Sequence, residues 1–142
     1  IVKEEVVVAV IEKDPEPTPE KPIVLKRVLH PYDQAGHTKG TGINIDDVIK
    51  AMKDYPFMVI QIESHTDSKG NDDYNMALSR RRASSAKTYL IRKGISGSRI
   101  KVKWYGETKA VSPNTKPDGS DSPEGRAQNR RTEFKIISNK NF

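Results

Sequence analysis

The 142-residue chain contains no cysteine, which excludes disulfide bonds, thiolate catalysis and thiolate metal sites and leaves the redox compartment open. Aromatic residues make up only 6% of it. Its longest purely apolar run, Val6 to Ile11, is far too short to cross a bilayer, and its start shows no signal-peptide pattern. Because the first residue is not methionine, we expect a fragment of a longer protein whose location the missing signal does not reveal.

Signatures of catalysis are also missing. There is no G-x-S-x-G, no Ser-x-x-Lys in a matching context and no glycine-rich phosphate loop. The histidines His30, His37 and His65 do not stand at metal-ligand spacings, and a zinc site would need His65 and Asp67 together with distant partners. A structural role for His65 is the simpler interpretation, so the sequence predicts no enzyme, no cofactor and no metal.

The charge of the chain is strongly positive. A formal net charge of +6 and a pI of about 9.5 favour anionic partners such as nucleic acid, an anionic polymer or a membrane surface, although solvated lysines give the same balance. Helical geometry spreads Arg80, Arg81 and Arg82 over different faces, and few aromatic residues interleave with the basic ones. We therefore do not predict nucleic acid as the partner.

A proline-rich stretch divides the chain. From Asp14 to Pro22 proline occupies nearly every second position, which is typical of an extended, semi-rigid spacer. We place the domain boundary there, so that residues 1–22 are an N-terminal segment with its linker and residues 23–142 are one domain. Ile1 to Ile11 has the composition of a strand but no evident pairing partner.

The pattern within the domain predicts an α+β fold. Helices and strands alternate in the order βαβαββ, which implies a sandwich with a mixed four-stranded sheet and helices packed mainly on one face. The long connection from Glu107 to Gly125 has the composition of a loop. We predict strands at Ile23–Leu29, Phe57–Glu63, Ile100–Tyr105 and Thr132–Ile137, and main helices at Asp46–Asp54 (with Asn44 as N-cap) and Asp73–Arg92. An additional short helix, not counted in this order, is expected at Glu124–Arg130 between the last two strands.

An arginine interrupts the apolar face of the long helix. Residues at steps of four share that face, and they are Leu78, Arg82, Ala86 and Leu90. A guanidinium there needs an anion or several acceptors because unpaired burial is costly. Asp67, at the end of the preceding strand, is the nearest candidate. Arg82 and Asp67 could form a plain buried salt bridge, or both could line a pocket open to solvent and grip a ligand that carries both signs.

Two stretches of the chain carry a series of spaced motifs. The first comprises Ser64-His65-Thr66-Asp67, Gly70, Tyr74-Asn75, Leu78-Ser79, Arg82-Ala83, Tyr89-Leu90 and Lys93-Gly94-Ile95, and the second comprises Tyr105-Gly106-Glu107 and the run from Glu124 to Phe134. In this order the motifs resemble the OmpA C-terminal-like family, and the resemblance extends over roughly Ile23 to Ile137.

The resemblance implies a periplasmic domain that binds peptidoglycan without covalent bonds. Asp67 and Arg82 match the positions that hold the diaminopimelate residue of the stem peptide in the family. Asn75 matches a residue that assists them, and Thr66 lies beside the acid. The Asn-Arg-Arg run, Asn129 to Arg131, is expected at the rim of the pocket or beneath it, with Arg131 as a candidate ligand contact.

The sequence departs from the family at three positions. Only Tyr32-Asp33 resembles the Phe-Asp-Phe-Asp-like motif of the first strand, so Asp33 is the corresponding ligand contact in a weakened motif. Ser64 stands where glycine is usual, and Trp104 fills a position that is often glycine.

The chemistry of diaminopimelate would suit the charged pair. Its distal carbon carries one ammonium and one carboxylate. The carboxylate of Asp67 can bind the ammonium, and Arg82 can bind the carboxylate through two parallel hydrogen bonds. A lysine at the same stem position lacks that carboxylate.

We therefore expect a non-catalytic module that anchors a larger outer-membrane or envelope protein complex to the wall. Its partners would be peptidoglycan and envelope proteins, without membrane insertion by this segment. The alternatives are a protein-interaction or stator-type dimerisation module with the same fold, and an enzyme acting on peptidoglycan, for which the catalytic signatures are missing.

Overall fold

The fold is seen in a computed structural model, in which residues 6–9, 23–30 and 42–139 are described. These residues form two sheets and three α-helices, with one 3-10 turn at Gly97–Arg99. The elements in chain order are β1 (Val6–Ala9), β2 (Ile23–Lys26), β3 (Val28–Leu29), α1 (Gly42–Asp54), β4 (Val59–His65), α2 (Asp72–Arg92), β5 (Ile100–Trp104), α3 (Pro123–Asn129) and β6 (Arg131–Ser138).

The main sheet is mixed and has the strand order β3-β6-β4-β5. β4 runs parallel to β5 and antiparallel to β6. A parallel neighbour needs a crossover connection, which α2 supplies. The predicted α+β class and mixed sheet are thus correct. The predicted four-stranded sheet is present in part, because three of its strands are full and the fourth, β3, has only two residues at one edge.

The N-terminal part differs from the prediction. β1 pairs antiparallel with β2 in a separate two-stranded sheet, so the expectation that the first segment lacks a partner is wrong. The predicted strand Ile23–Leu29 is divided at Arg27, whose buried side chain donates a hydrogen bond to the Gln128 side chain. A run of β-branched residues does not reveal where a strand changes its pairing partner. The boundary at residue 22 stays a prediction.

The apolar core lies between the main sheet and the helices α1 and α2. The predicted apolar face of α1 is confirmed, since Val48, Ile49 and Met52 are all buried. However, α1 begins at Gly42, so Asn44 lies inside the helix and is not its N-cap. Strand residues of the core are Ile60, Ile62, Ile100 and Phe134, and α2 contributes Ala83, Ala86 and Leu90.

The ends of α2 position the residues that surround it. The Asn71 side chain accepts a hydrogen bond from the backbone N–H of Tyr74 at 2.7 Å and caps the first turn. At the other end the chain leaves the helix through Gly94 at φ +101°, a conformation that favours glycine. The strand-to-helix junction between β4 and α2 is therefore fixed on its helical side.

The long loop before α3 is bound to that helix through Asn129. The buried Asn129 side chain accepts from the backbone N–H groups of Val111 and Ser112 and donates to the carbonyl of Ser112. Gly125 sits so close to the loop that a Cβ atom would lie 1.8 Å from the carbonyl oxygen of Pro113. The loop and α3 therefore form one structural unit.

We predict that Gly125→Ala destabilises the fold by about 2 kcal/mol or more, because backbone would have to move to admit the methyl group. The matched control is Gly97→Ala, whose Cβ would meet its nearest atom at an ordinary 3.5 Å and which should stay within about 0.5 kcal/mol of the wild type. Urea unfolding of both variants measures the difference. Equal free energies of unfolding for the two variants would contradict this packing.

Candidate functional site

The candidate site lies where β4 ends and the chain turns into α2. The backbone N–H of Thr66 donates to the carbonyl of Gly106 at 2.8 Å. The Thr66 hydroxyl and the Asn75 side-chain amide both donate to the carbonyl of Asp67, at 2.9 and 3.3 Å. Thr66 and Asn75 are buried. Two of the predicted site residues therefore fix the backbone of a third, Asp67.

The carboxylate of Asp67 is held by two arginines. Its Oδ2 accepts a hydrogen bond from Arg130 Nη1 at 2.9 Å and lies 3.6 Å from Arg126 Nη1. Its Oδ1 accepts from the backbone N–H of Lys69 at 3.0 Å. Arg126 also forms a bidentate pair with the exposed Asp121, at 2.7 Å for each bond. Asp67 is thus the centre of a charge-assisted network.

Arg82 approaches the same junction from α2. Its Nη1 donates to the carbonyl of His65 at 3.0 Å, two residues before Asp67. The expectation that both charges face a pocket open to solvent is not met, since Asp67 is 2% exposed and Arg82 is 0% exposed. The ion pairs of Asp67 that the structure describes are instead with Arg126 and Arg130.

Two further carboxylates, Glu107 and Asp72, lie close to the junction. Burial, together with a hydrogen bond and charge repulsion from Asp72, raises the pKa of Glu107, and the charge of Asp67 adds to this effect. A hydrogen bond with Asn75 opposes it. Carboxylates and guanidiniums therefore both lie close to the junction, which is an arrangement that complements a ligand with both an ammonium and a carboxylate.

The structure does not place the remaining predicted residues at this junction. Arg131 lies in β6, where Nε donates to Glu133 at 2.7 Å and Nη2 donates to the carbonyl of Lys109 at 2.9 Å. Its neighbour Arg130 reaches Asp67 instead, because successive side chains diverge where the strand begins. Asp33 lies outside the described residues.

Sequence reasoning missed Arg126 and Glu107 as parts of the site, and within the Asn-Arg-Arg run it selected Arg131 as the ligand contact, whereas the structure brings Arg130 to Asp67. A signal for Arg126 was present, since a spacing of four places it on the same side of the predicted short helix as Arg130. No spacing rule connects them to Asp67, which lies about 60 residues earlier in the chain. Glu107 follows Gly106 in one of the motifs, but its closeness to Asp72 depends on the sheet register.

A second polar cluster lies on the sheet face opposite the core. Glu63, His65 and Glu133 offer ligand atoms within 4.8 Å of one another, as a metal site would. Both carboxylates are already paired with cations, Glu63 with Lys135 at 3.1 Å and Glu133 with Arg131 at 2.7 Å. We interpret the cluster as an ion-pair network around a structural His65, whose ring stacks on Tyr105 with centroids 5.2 Å apart.

The family profile of OmpA matches residues 33–129, so the chain belongs to the OmpA family. The chain is 41% identical over 111 residues to the photosystem I P700 chlorophyll a apoprotein A2 of Gloeobacter violaceus, covering 78% of this chain and 13% of that protein. It is 35% identical over 106 residues to the outer membrane porin F of Pseudomonas aeruginosa, covering 74% of this chain and 29% of the porin. The chain thus spans less than a third of either relative.

A shorter relative and a solved structure that are similar to this chain are both peptidoglycan-associated lipoproteins. The chain is 40% identical over 73 residues to the peptidoglycan-associated lipoprotein of Buchnera aphidicola, covering 51% of this chain and 42% of the lipoprotein. The crystal structure of the peptidoglycan-associated lipoprotein from Burkholderia pseudomallei matches with a TM-score of 0.67 at 23% identity, covering 78% of this chain and 88% of that one. This likeness shows the fold alone. Within the described residues, no helix is both long and apolar enough to cross a membrane.

We predict that His65 makes the fold sensitive to acid. Burial, followed by the charge of Arg131, lowers the pKa of His65 to about 3 from 6.5. Between these values the unfolded chain binds a proton that the folded chain does not, so stability falls as the pH decreases from 6.5. The contribution at pH 5 is about 2 kcal/mol relative to pH 7.

The measurement is urea unfolding of the wild type and of His65→Gln at both pH values. The wild type should lose about 2 kcal/mol more than the variant on acidification. The same loss in both proteins would show that His65 is not responsible.

Proposed function

We propose that this domain binds peptidoglycan without covalent bonds and anchors a larger envelope protein to the cell wall from the periplasm. Membership of the OmpA family supports the proposal, as do the relatives named peptidoglycan-associated lipoprotein and outer membrane porin. The chain is a binding domain and not an enzyme. The proline-rich spacer would tether the domain to the rest of its parent protein.

The observation that carries the proposal is the shared carboxylate of Asp67. One buried acid lies against Arg130 at 2.9 Å and Arg126 at 3.6 Å, and Arg82 approaches the same junction. A ligand carboxylate would be stabilised there by the guanidinium that the ligand's own ammonium releases from Asp67. An added ammonium would be stabilised by Asp67 together with Glu107, whose pKa is raised by burial and by the neighbouring carboxylates of Asp72 and Asp67.

We further propose that the ligand is the diaminopimelate residue of a stem peptide, bound by exchange of partners. Its ammonium would replace the Arg130 guanidinium at Oδ2 of Asp67, and its carboxylate would bind the released Arg130 and the nearby Arg82. Arg126 and Arg130 are the suitable residues to move, because their side chains are 11% and 15% exposed while Arg82 is fully buried. Thr66 and Asn75 would keep Asp67 in place.

Such a site would discriminate against lysine at the same stem position. The lysine ammonium would displace Arg130 from Asp67 but would bring no carboxylate for the released guanidinium. The free-energy penalty of leaving a largely buried guanidinium without a partner exceeds the stabilisation from the new contact between the lysine and Asp67. The preference for diaminopimelate would then come from the penalty on a ligand with only one charge.

We predict that Asp67→Asn lowers the affinity for the tripeptide L-Ala-γ-D-Glu-meso-diaminopimelate by at least tenfold, because a hydrogen bond between charged groups contributes about 1.5–3 kcal/mol. Arg130→Gln, which alters a partly exposed side chain, should lower it to a similar extent. Isothermal titration calorimetry measures both, with the L-Lys tripeptide as the competing ligand.

The control is Asp54→Asn, which alters an exposed carboxylate paired with Lys50 on α1 and should leave the affinity unchanged. Thermal melting verifies that each variant is folded. Undiminished affinity in a folded Asp67→Asn variant, or equal affinity for the lysine peptide, would refute the site.

A further inference from the structure

A groove of about 520 Å³ lies between the outer side of α2 and the end of β5. Its lining includes Asp73, Met76, Arg80, Arg81, Ser84 and Trp104. β5 is the edge strand of the described sheet, so the groove lies at the rim of the domain. None of these residues belongs to the Asp67 network, and Trp104 is one of the departures from the family pattern.

The lining combines an apolar floor with free polar groups. Trp104 is 36% exposed and Met76 is 39% exposed, and these are large apolar side chains that a domain usually buries. The guanidinium carbon of Arg80 lies 5.6 Å from the centroid of the Trp104 ring, at the distance of a cation–π contact. The ion pairs of the described residues do not involve Arg80 or Arg81, so both guanidiniums can donate to a ligand.

This chemistry fits a carbohydrate better than a protein. A pyranose ring has a face of C–H groups, which packs on an aromatic ring, and an edge of hydroxyl groups, which bind guanidiniums, hydroxyls and carboxylates. Ligand sites usually enclose about 300–1,000 Å³, which includes this groove. A stable protein interface needs at least about 1,000 Å² of buried surface with an apolar centre, and the mixed lining here is much smaller.

The groove is joined to the candidate site through Gly106. The Gly106 carbonyl accepts the hydrogen bond from Thr66, the neighbour of Asp67. On its other side Gly106, at φ +57°, lies so close to the backbone of α2 that a Cβ atom would be 3.3 Å from Met76 N. Gly106 therefore links Thr66, at the junction that would hold the stem peptide, to Met76 in the lining of the groove.

Stem peptides are attached to glycan strands, so a stem held at Asp67 brings its strand to the adjoining surface. We infer that the groove between α2 and β5 is a subsite for the glycan strand of peptidoglycan, a chain of β-1,4-linked N-acetylated amino sugars. Trp104 stacks on the face of one sugar ring, while Arg80 and Arg81 donate to hydroxyl and acetamide oxygens. This inference rests on the proposed function and adds a second ligand contact to it.

Trp104 provides the measurement itself because it is the only tryptophan in the chain. The probe is a preparation of glycan strands from which an amidase has removed all stem peptides. Titration of the wild-type protein with these strands should change the intrinsic fluorescence saturably. The absence of any change up to millimolar sugar concentration would overturn the inference.

Variants then assign the binding to the groove. Calorimetry with the stripped strands should show at least a fivefold loss of affinity in Trp104→Ala and in Arg80→Ala. Arg92→Ala, which alters an exposed arginine at the far end of α2, is the matched control and should stay within twofold. Undiminished glycan affinity in Trp104→Ala would overturn the inference. It would also be overturned if sedimentation showed that the wild type is a dimer and that Trp104→Ala is a monomer, because the groove would then be a dimer interface.

The proposal for the Asp67 site and the proposal for the groove can be refuted independently of each other. Trp104→Ala should keep its affinity for the soluble diaminopimelate tripeptide within twofold, and Asp67→Asn should keep its affinity for stripped glycan strands. Binding of the tripeptide without binding of the strands would overturn the groove alone. Binding of the strands without the tripeptide would support the groove and overturn the Asp67 site.

Discussion

The buried carboxylate of Asp67 is the constraint on which this end of the domain depends. A charge that is 2% exposed must be matched by donors, and the donors come from Arg126 and Arg130, far along the chain. Removing one partner of a buried pair typically costs about 3–5 kcal/mol. The network therefore ties the junction between β4 and α2 to α3, and the loop before α3 must return to the sheet. Asn129 holds that loop through its backbone groups, so the ion pairs and the loop stabilise each other.

The adjacent residues Arg130 and Arg131 have different partners because β6 begins at Arg131. Arg130, the C-cap of α3, pairs with Asp67, whereas Arg131 pairs with Glu133 on the sheet face opposite the core. That face carries its own balanced set of charges around His65, including the pair between Lys135 and Glu63. The neutral state of His65, with a pKa of about 3, follows from burial in this set. The start of β6 thus separates the ion-pair network of the candidate site from the network around His65.

Local features of the fold could be predicted from the sequence, while features that depend on distant pairing could not. The period of α2, the apolar face of α1 and the parallel crossover are local signals, and they correctly gave the α+β class and a mixed sheet. The pairing of β1 with β2 spans the proline-rich spacer, and no local pattern encodes it.

The same limit applies to the prediction of the candidate site. Thr66, Asn75 and Asp67 are neighbours in one motif and lie together, whereas Arg126 and Arg130 join them only through tertiary structure. The solvent-open pocket was a wrong expectation because helical spacing predicts which side a residue faces and not what covers it.

A site closed by its own ion pairs has consequences for selectivity. An open pocket with one acid and one base would bind any small ammonium or carboxylate to some degree. Here Asp67 is already paired with Arg130, so a ligand that binds as proposed would first have to release Arg130 and then supply a partner for it. A ligand with only an ammonium could replace Arg130 at Asp67 but would leave the Arg130 guanidinium without an anionic partner in a desolvated position, which costs about 1–3 kcal/mol or more. Only a group that carries both charges close together replaces every bond it breaks. Burial of the site is therefore compatible with selective binding, provided that Arg126 and Arg130, whose side chains are 11% and 15% exposed, can exchange their partner.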